Sequence, residues 1–350
     1  MKHISFYLIT FTIILLILEL IARSLFLILG MDIKALQPDS GRYTSSPFTG
    51  YALRSKWELN HNTLKESYNS FGFKSPEFNI IKNDSTFRIV ALGGSSVYGY
   101  PLENNQTWPH YLKNHLDDNT TQININNFEV INTGVPGYNT YHSIGLLFSK
   151  ILDLNPDLII LYQLWNDISY FPVLNDSTLY SGKVYESYQS IFHYSYALIS
   201  LSVLKNVLKR KITNEKSLPL KNTIDVKNTY GLKQYRRNVE IIAMICEKYK
   251  IPLLLCSQMT LYKNENTEEE IAKLSHGKKE YYLNAFDLGN EILRDIAKFN
   301  QNTYYFNPSK HIKANLDVLL DHIHLTVRGN DLLGKFMSEF ISNEIINSPK

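Results

Sequence analysis

From residue 87 onward, short and continuously apolar runs alternate with amphipathic helical stretches, a rhythm that leaves few folds open. The apolar runs are 87–92, 128–132, 158–163, 251–257 and 303–306, and the helical stretches between them are 108–116, 141–154, 232–249 and 283–299. Within 232–249, Tyr235, Val239, Ile242, Cys246 and Tyr249 recur at spacings of four and three, which gives a helix a single apolar face. A last helix, beginning near Val327 with Thr326 as its N-cap, turns Leu333, Phe336, Met337, Phe340 and Ile341 toward the same core. Strands that are apolar on both faces need cover on both faces. The pattern therefore predicts an α/β fold: a three-layer α/β/α sandwich with a central parallel sheet of about five strands.

What precedes the sheet differs in kind. Residues 4–29 are almost continuously apolar, and as a helix they are about 39 Å long, enough to cross a bilayer with some tilt. Glu19 and Arg23, four apart, can pair on one face of that helix and lower their cost in lipid. A cleaved signal peptide is the rival reading, since Ala22-Arg23-Ser24 loosely fits a small-x-small site. The apolar run continues through Leu29, however, which suits an anchor better. Residues 1–30 are thus read as a transmembrane anchor. Lys2 before the span and Lys34 and Arg42 after it leave orientation open by charge, and the bulk of the chain is expected on the extracytoplasmic side. Residues 31–85, polar with scattered aromatics, read as a collar packed on the domain of residues 86–346. Residues 170–230 interrupt the strand and helix rhythm as an insertion. Its basic cluster, Lys205, Lys209, Arg210 and Lys211, suits the last turn of a helix; a lid or membrane-facing flap is the sharper alternative.

Composition narrows the function classes. With 350 residues, 44% of them hydrophobic, the chain can bury a full core. A net charge of +3 without a long basic run argues against nucleic acid as a partner. Cys246 and Cys256, the two cysteines, match no metal-ligand spacing and read as small core residues.

Chemistry-bearing residues gather where strands end. The first apolar run closes on Gly93-Gly94, and the next side chain, Ser95, stands unscreened where open parallel sheets bind their ligands. Gly-Gly-Ser-Ser is also an ordinary loop. Near the C-terminus, Asp321 and His324 lie three apart, so a carboxylate can accept from a ring N–H and fix the tautomer that a general base needs. His322, adjacent to Asp321, faces back on it less readily, and a solvated turn capping the last helix is the bland account. His311 and Asp317 complete no zinc spacing with this pair. After the second strand, Gly137 can bring a bare backbone N–H close to a ligand. After the third, Asn166 can aim a side-chain N–H. Each also has a plain role, the glycine as turn punctuation and Asn166-Asp167 as a helix cap.

Taken in order, Gly93-Gly94-Ser95, Gly137 in NTGVPGYN, Asn166-Asp167 in YQLWND, and Asp321 with His324 in DHIH resemble the four motif blocks of the SGNH (GDSL-type) hydrolases. The resemblance runs from about residue 87 to the C-terminus. It implies the flavodoxin-like fold of that family, with Ser95 as nucleophile, His324 as base and Asp321 as its orienter. The Ser95 N–H, the Gly137 N–H and the Asn166 side chain would form the oxyanion hole. It further implies an ester hydrolase or acyltransferase that needs no cofactor or metal and acts on an ester-bearing small molecule, glycan or lipid. The anchor and collar look like those of membrane-attached bacterial members associated with envelope polysaccharides. Gly94 replaces an Asp of the first block, and Leu164 stands where the third block usually has Gly, which bears on the pocket floor. A non-catalytic scaffold or glycan-binding protein on the same fold is the competing reading.

Overall fold

The structure is a computed structural model that describes residues 2–28, 41–61, 64–119, 125–172, 195–197, 200–201, 226–274 and 279–347. The chain divides into two compact units, residues 1–45 with 184–219 and residues 46–183 with 220–350. In the first unit, helix α1 (Lys2–Ile28) contains a 20-residue stretch, Phe6–Leu25, long and apolar enough to cross a membrane. Its Arg23 Nε donates to Glu19 Oε1 at 2.9 Å, the pair expected from their spacing. The Glu19 carboxylate also accepts from the Ser195 hydroxyl and from the Tyr196 and Ala197 N–H groups. The basic cluster at 205–211 and most of the 170–230 insertion lie outside the described residues.

Strand β1 (Tyr43–Ser46) leads from the first unit into the second, where β2 (Gly50–Leu53), β3 (Glu58–His61) and β4 (Leu64–Ser67) follow. β3 and β4 pair antiparallel, with Glu58 opposite Ser67. The sequence reading assigned no strands to this stretch, because four-residue strands are too short to show an alternating pattern. Within residues 31–85, Trp57 stacks on Tyr68 at 4.8 Å between ring centres, and Phe71 on Phe78 at 4.7 Å.

The five predicted strands form one parallel sheet: β5 (Thr86–Gly93), β6 (Asn127–Asn132), β7 (Leu158–Tyr162), β8 (Leu253–Cys256) and β9 (Thr303–Phe306), in the order β6-β5-β7-β8-β9. Counted from β5, this is the 2-1-3-4-5 order of flavodoxin-like sheets, whose switch point lies between the first and third strands. Those are β5 and β7, the strands that lead into Ser95 and Asn166. One helical layer consists of α3 (Trp108–Asn119) and α9 (Val327–Ile341). The other contains α4 (Thr140–Leu146), α6 (Tyr230–Lys248) and α8 (Lys279–Phe299). Ile89, Ala91, Leu158 and Ile160 join Trp108, Leu112, Leu333 and Met337 in one apolar cluster, all fully buried. Thr326 caps α9 by accepting from Gly329 N–H at 3.0 Å. Asn330 of α9 in turn accepts from Trp108 N–H at 2.8 Å, and so satisfies an orphan donor at the start of α3. Cys246 and Cys256 are free and buried.

Residues 141–154, expected as one helix, continue from α4 as a wide turn over Leu147–Ile151 and a tight one over Leu152–Leu154. Asn155, with φ +49°, then ends the run. A short helix, α7 (Glu268–Lys273), had no strong apolar period to announce it; Thr267 and Glu270 form its capping box.

Candidate active site

The backbone turns directly at the end of β5. Ser95–Tyr98 form a single helical turn, α2, with Gly99 at φ +79° closing it. The Gly99 and Tyr100 N–H groups both donate to the Ser95 carbonyl, at 2.9 and 3.1 Å. Asn132, at the end of β6, donates to the Val97 carbonyl at 2.8 Å and ties the turn to the neighbouring strand. Ser95 is thereby held half-buried in the lining of a small pocket, whose walls include Gly94, Gln163, Leu164, Asn166 and Gln258.

Asp321, His322, Ile323 and His324 arrive from the far end of the chain. The His322 carbonyl accepts from Leu261 N–H at 3.0 Å and from the Thr260 hydroxyl at 2.9 Å, so the loop after β8 fixes the loop before α9. His324 Nε2 lies 2.8 Å from Ser95 Oγ, and His324 Nδ1 lies 2.7 Å from Asp321 Oδ2. The other carboxylate oxygen accepts from the Ile323 and His324 N–H groups at 2.9 and 2.8 Å. Burial works against charge on Asp321, but the His324 ring N–H and the two backbone donors outweigh it and hold the carboxyl well below its ordinary range. A permanent carboxylate at Nδ1 keeps the ring proton there, so Nε2 presents its lone pair to Ser95. His322 is oriented otherwise: its Nδ1 is 3.8 Å from Asp321, and its ring lies 4.2 Å from that of Trp165.

Asn166 sits in a second short turn, α5 (Trp165–Ile168), at the end of β7. One hydrogen of its amide goes to the Tyr138 carbonyl at 2.6 Å, which fixes the group at the pocket wall and leaves its second N–H to point elsewhere. Gly137, next to Tyr138, has φ +86° and is exposed; it is not among the residues that line this pocket. Asp167 does not cap its own helix. Leu164 holds that position without a side-chain bond, and Asp167 instead accepts from the Thr140 N–H and hydroxyl at the start of α4. Its carboxyl is fully buried, and desolvation pushes it up to about 7.

The Leu164 side chain is fully buried. It fills space that Gly289 on α8 leaves open: a β-carbon at 289 would stand 2.4 Å from Leu164 Cδ1.

Gln258, just past β8, was not singled out by sequence reasoning, although its place at a strand end was a signal. Its Oε1 accepts from the Leu164 and Trp165 N–H groups at 3.0 and 2.7 Å, and its Nε2 donates to Ser96 Oγ at 2.8 Å. One buried side chain thus links the turn carrying Ser95 to the turn carrying Asn166.

No known family model matches the sequence, and no curated protein matches it. Among solved structures the chain is similar to a GDSL-like lipase from Bacteroides thetaiotaomicron (14% identity, 74% of this chain and 89% of that one, TM-score 0.43). It is also similar to a lipase/acylhydrolase from Enterococcus faecalis (14%, 75% and 98%, TM-score 0.44) and to a catalytic mutant of an acetylxylan esterase from Geobacillus stearothermophilus (11%, 77% and 100%, TM-score 0.45).

Proposed function

We propose that this chain is a serine esterase of the SGNH type. The observation that carries the reading is the unbroken hydrogen-bonded series from Ser95 Oγ through the His324 ring to the Asp321 carboxylate. A serine hydroxyl is a weak nucleophile until an adjacent base takes its proton, and His324 Nε2 stands at the distance that transfer needs. In the proposed reaction Ser95 Oγ attacks an ester carbonyl as its proton passes to His324. The Asn166 amide, with the Ser95 and Gly137 N–H groups, stabilises the oxyanion. His324 returns the proton to the departing alcohol, and water, activated in the same way, releases the acyl group. A sugar hydroxyl in place of that water makes the same site an acyltransferase.

The substrate is proposed as an O-acetyl or related ester on an envelope glycan or lipid, with α1 tethering the chain to a membrane and the second unit on the extracytoplasmic side. The length and apolar character of Phe6–Leu25 support the tether.

Fluorophosphonate labelling of the full-length protein in detergent, with the modified residue mapped by mass spectrometry, tests the reading. Labelling at Ser95 that disappears in Ser95→Ala and drops steeply in His324→Ala is expected. A folded protein that stays unlabelled would overturn it.

A further inference from the structure

The segment ahead of the sheet reaches both halves of the site. Glu66 on β4 and Lys74 form an ion pair of 2.9 Å whose side chains are 1% and 0% exposed. Lys74 Nζ also donates to the Leu102 carbonyl at 2.5 Å and stands 4.1 Å from the centre of the Tyr98 ring. The Tyr98 hydroxyl donates to the same Glu66 oxygen at 3.0 Å, so the Tyr68 hydroxyl, 2.5 Å away, is the donor in the contact between the two tyrosines. Tyr98 is the last residue of α2, the turn that begins at Ser95, and its N–H donates to the Gly94 carbonyl at 3.0 Å. Tyr98 is thus hydrogen-bonded to the peptide group that joins Gly94 to Ser95.

A second arm meets the other loop. The Tyr51 hydroxyl on β2 donates to the Pro136 carbonyl at 2.9 Å, and a β-carbon at Gly137 would stand 2.7 Å from that hydroxyl. The Tyr138 hydroxyl donates to the Tyr51 carbonyl and lies 2.9 Å from Thr49 Oγ1, and the Tyr138 carbonyl receives the Asn166 amide.

A buried ion pair contributes little stability beyond what apolar packing in the same space gives, so its value here is geometric. We propose that Tyr51, Glu66 and Lys74 are positioning residues for acyl transfer: Glu66 and Lys74 fix the Ser95 turn through Tyr98, and Tyr51 fixes the Gly137 loop. The proposal rests on the reading of Ser95 as nucleophile. Reacting groups misplaced by about 1 Å lose on the order of 10²-fold in rate. Loosening either arm therefore lowers turnover while leaving the pocket that binds substrate in place.

The test uses the full-length protein in detergent, with Tyr51→Phe, Tyr98→Phe and the double variant. Each keeps the ring and removes one hydroxyl, which avoids the unfolding that Lys74→Met or Glu66→Leu risks. Hydrolysis of 4-methylumbelliferyl acetate, the rate of inactivation by a fluorophosphonate, and Tm are measured side by side. Each single variant is expected to lose about 10-fold or more in kcat and in inactivation rate, with KM within about twofold. The double variant is expected to show the product of the two losses, since the arms act on separate loops. Variants that lower Tm but match the wild type in kcat and inactivation rate overturn the proposal and leave the esterase reading standing. A wild type inert toward both reagents overturns the reading of the site itself, and the proposal falls with it.

Discussion

Gly94 leaves the room that the Asn166 amide occupies: a β-carbon at position 94 would stand 2.6 Å from Asn166 Nδ2 and 3.0 Å from the Tyr138 carbonyl oxygen. The glycine at position 94 is thus a steric requirement of the next loop. Gly94→Ala is expected to push Asn166 off the pocket wall and lower kcat by on the order of 10²-fold with KM little changed. Steady-state kinetics on a small aryl ester check this, and unaltered kcat would mean that the amide can move without consequence.

Asn166→Ala removes the side-chain donor while leaving the helical turn intact. For an oxyanion donor, the loss in kcat is on the order of 10² to 10³. Turnover equal to the wild type would remove Asn166 from the oxyanion hole.

Gln258→Leu strips the Leu164 and Trp165 N–H groups and the Ser96 hydroxyl of a buried partner. Each orphaned backbone N–H costs roughly 1–3 kcal/mol, while the Ser96 hydroxyl keeps its bond to the Ile323 carbonyl. A lower Tm is expected together with a fall in kcat, because the turns carrying Ser95 and Asn166 lose their link. Differential scanning calorimetry and kinetics on one preparation read both; activity retained at full Tm would show that the link is redundant.

Asp167 sets a pH dependence of stability with a definite sign. Its folded carboxyl titrates at about 7 against an ordinary 3.8, so the native state binds the extra proton between those values. Stability from this group is full below about pH 4, falls as pH rises toward 7, and is then flat. The gap corresponds to roughly 4 kcal/mol. Asp167→Asn, which can still accept from Thr140, is expected to flatten Tm between pH 4 and 7 and to raise it at pH 8. Asp321 acts in the opposite sense. Its carboxyl is held low, so the stability it adds is present above its ordinary range and is lost only in strong acid. An Asp167→Asn profile that still falls between pH 4 and 7 would show that another group is responsible.

What the sequence determined by itself was the sheet and the ends of its strands. Continuous apolar runs and one-sided helices are local signals, since burial acts on every residue of an element at once, and they sufficed for β5 to β9 and for α9 with its Thr326 cap. Ser95, Asn166, Asp321 and His324 were legible as candidates for a related reason: a polar residue at the carboxyl end of a buried strand, or a carboxylate three residues from a histidine, is a short-range pattern. The tertiary structure alone decided which groups meet. Ser95 and His324, 229 positions apart in the chain, close to 2.8 Å only because β5 lies at the switch point and the loop after β8 pins His322. Gln258, the Leu164–Gly289 fit and the Glu66–Lys74–Tyr98 cluster join residues that share no local period, so no window of sequence contained them. Their partners are chosen by packing, and packing is a property of the folded chain.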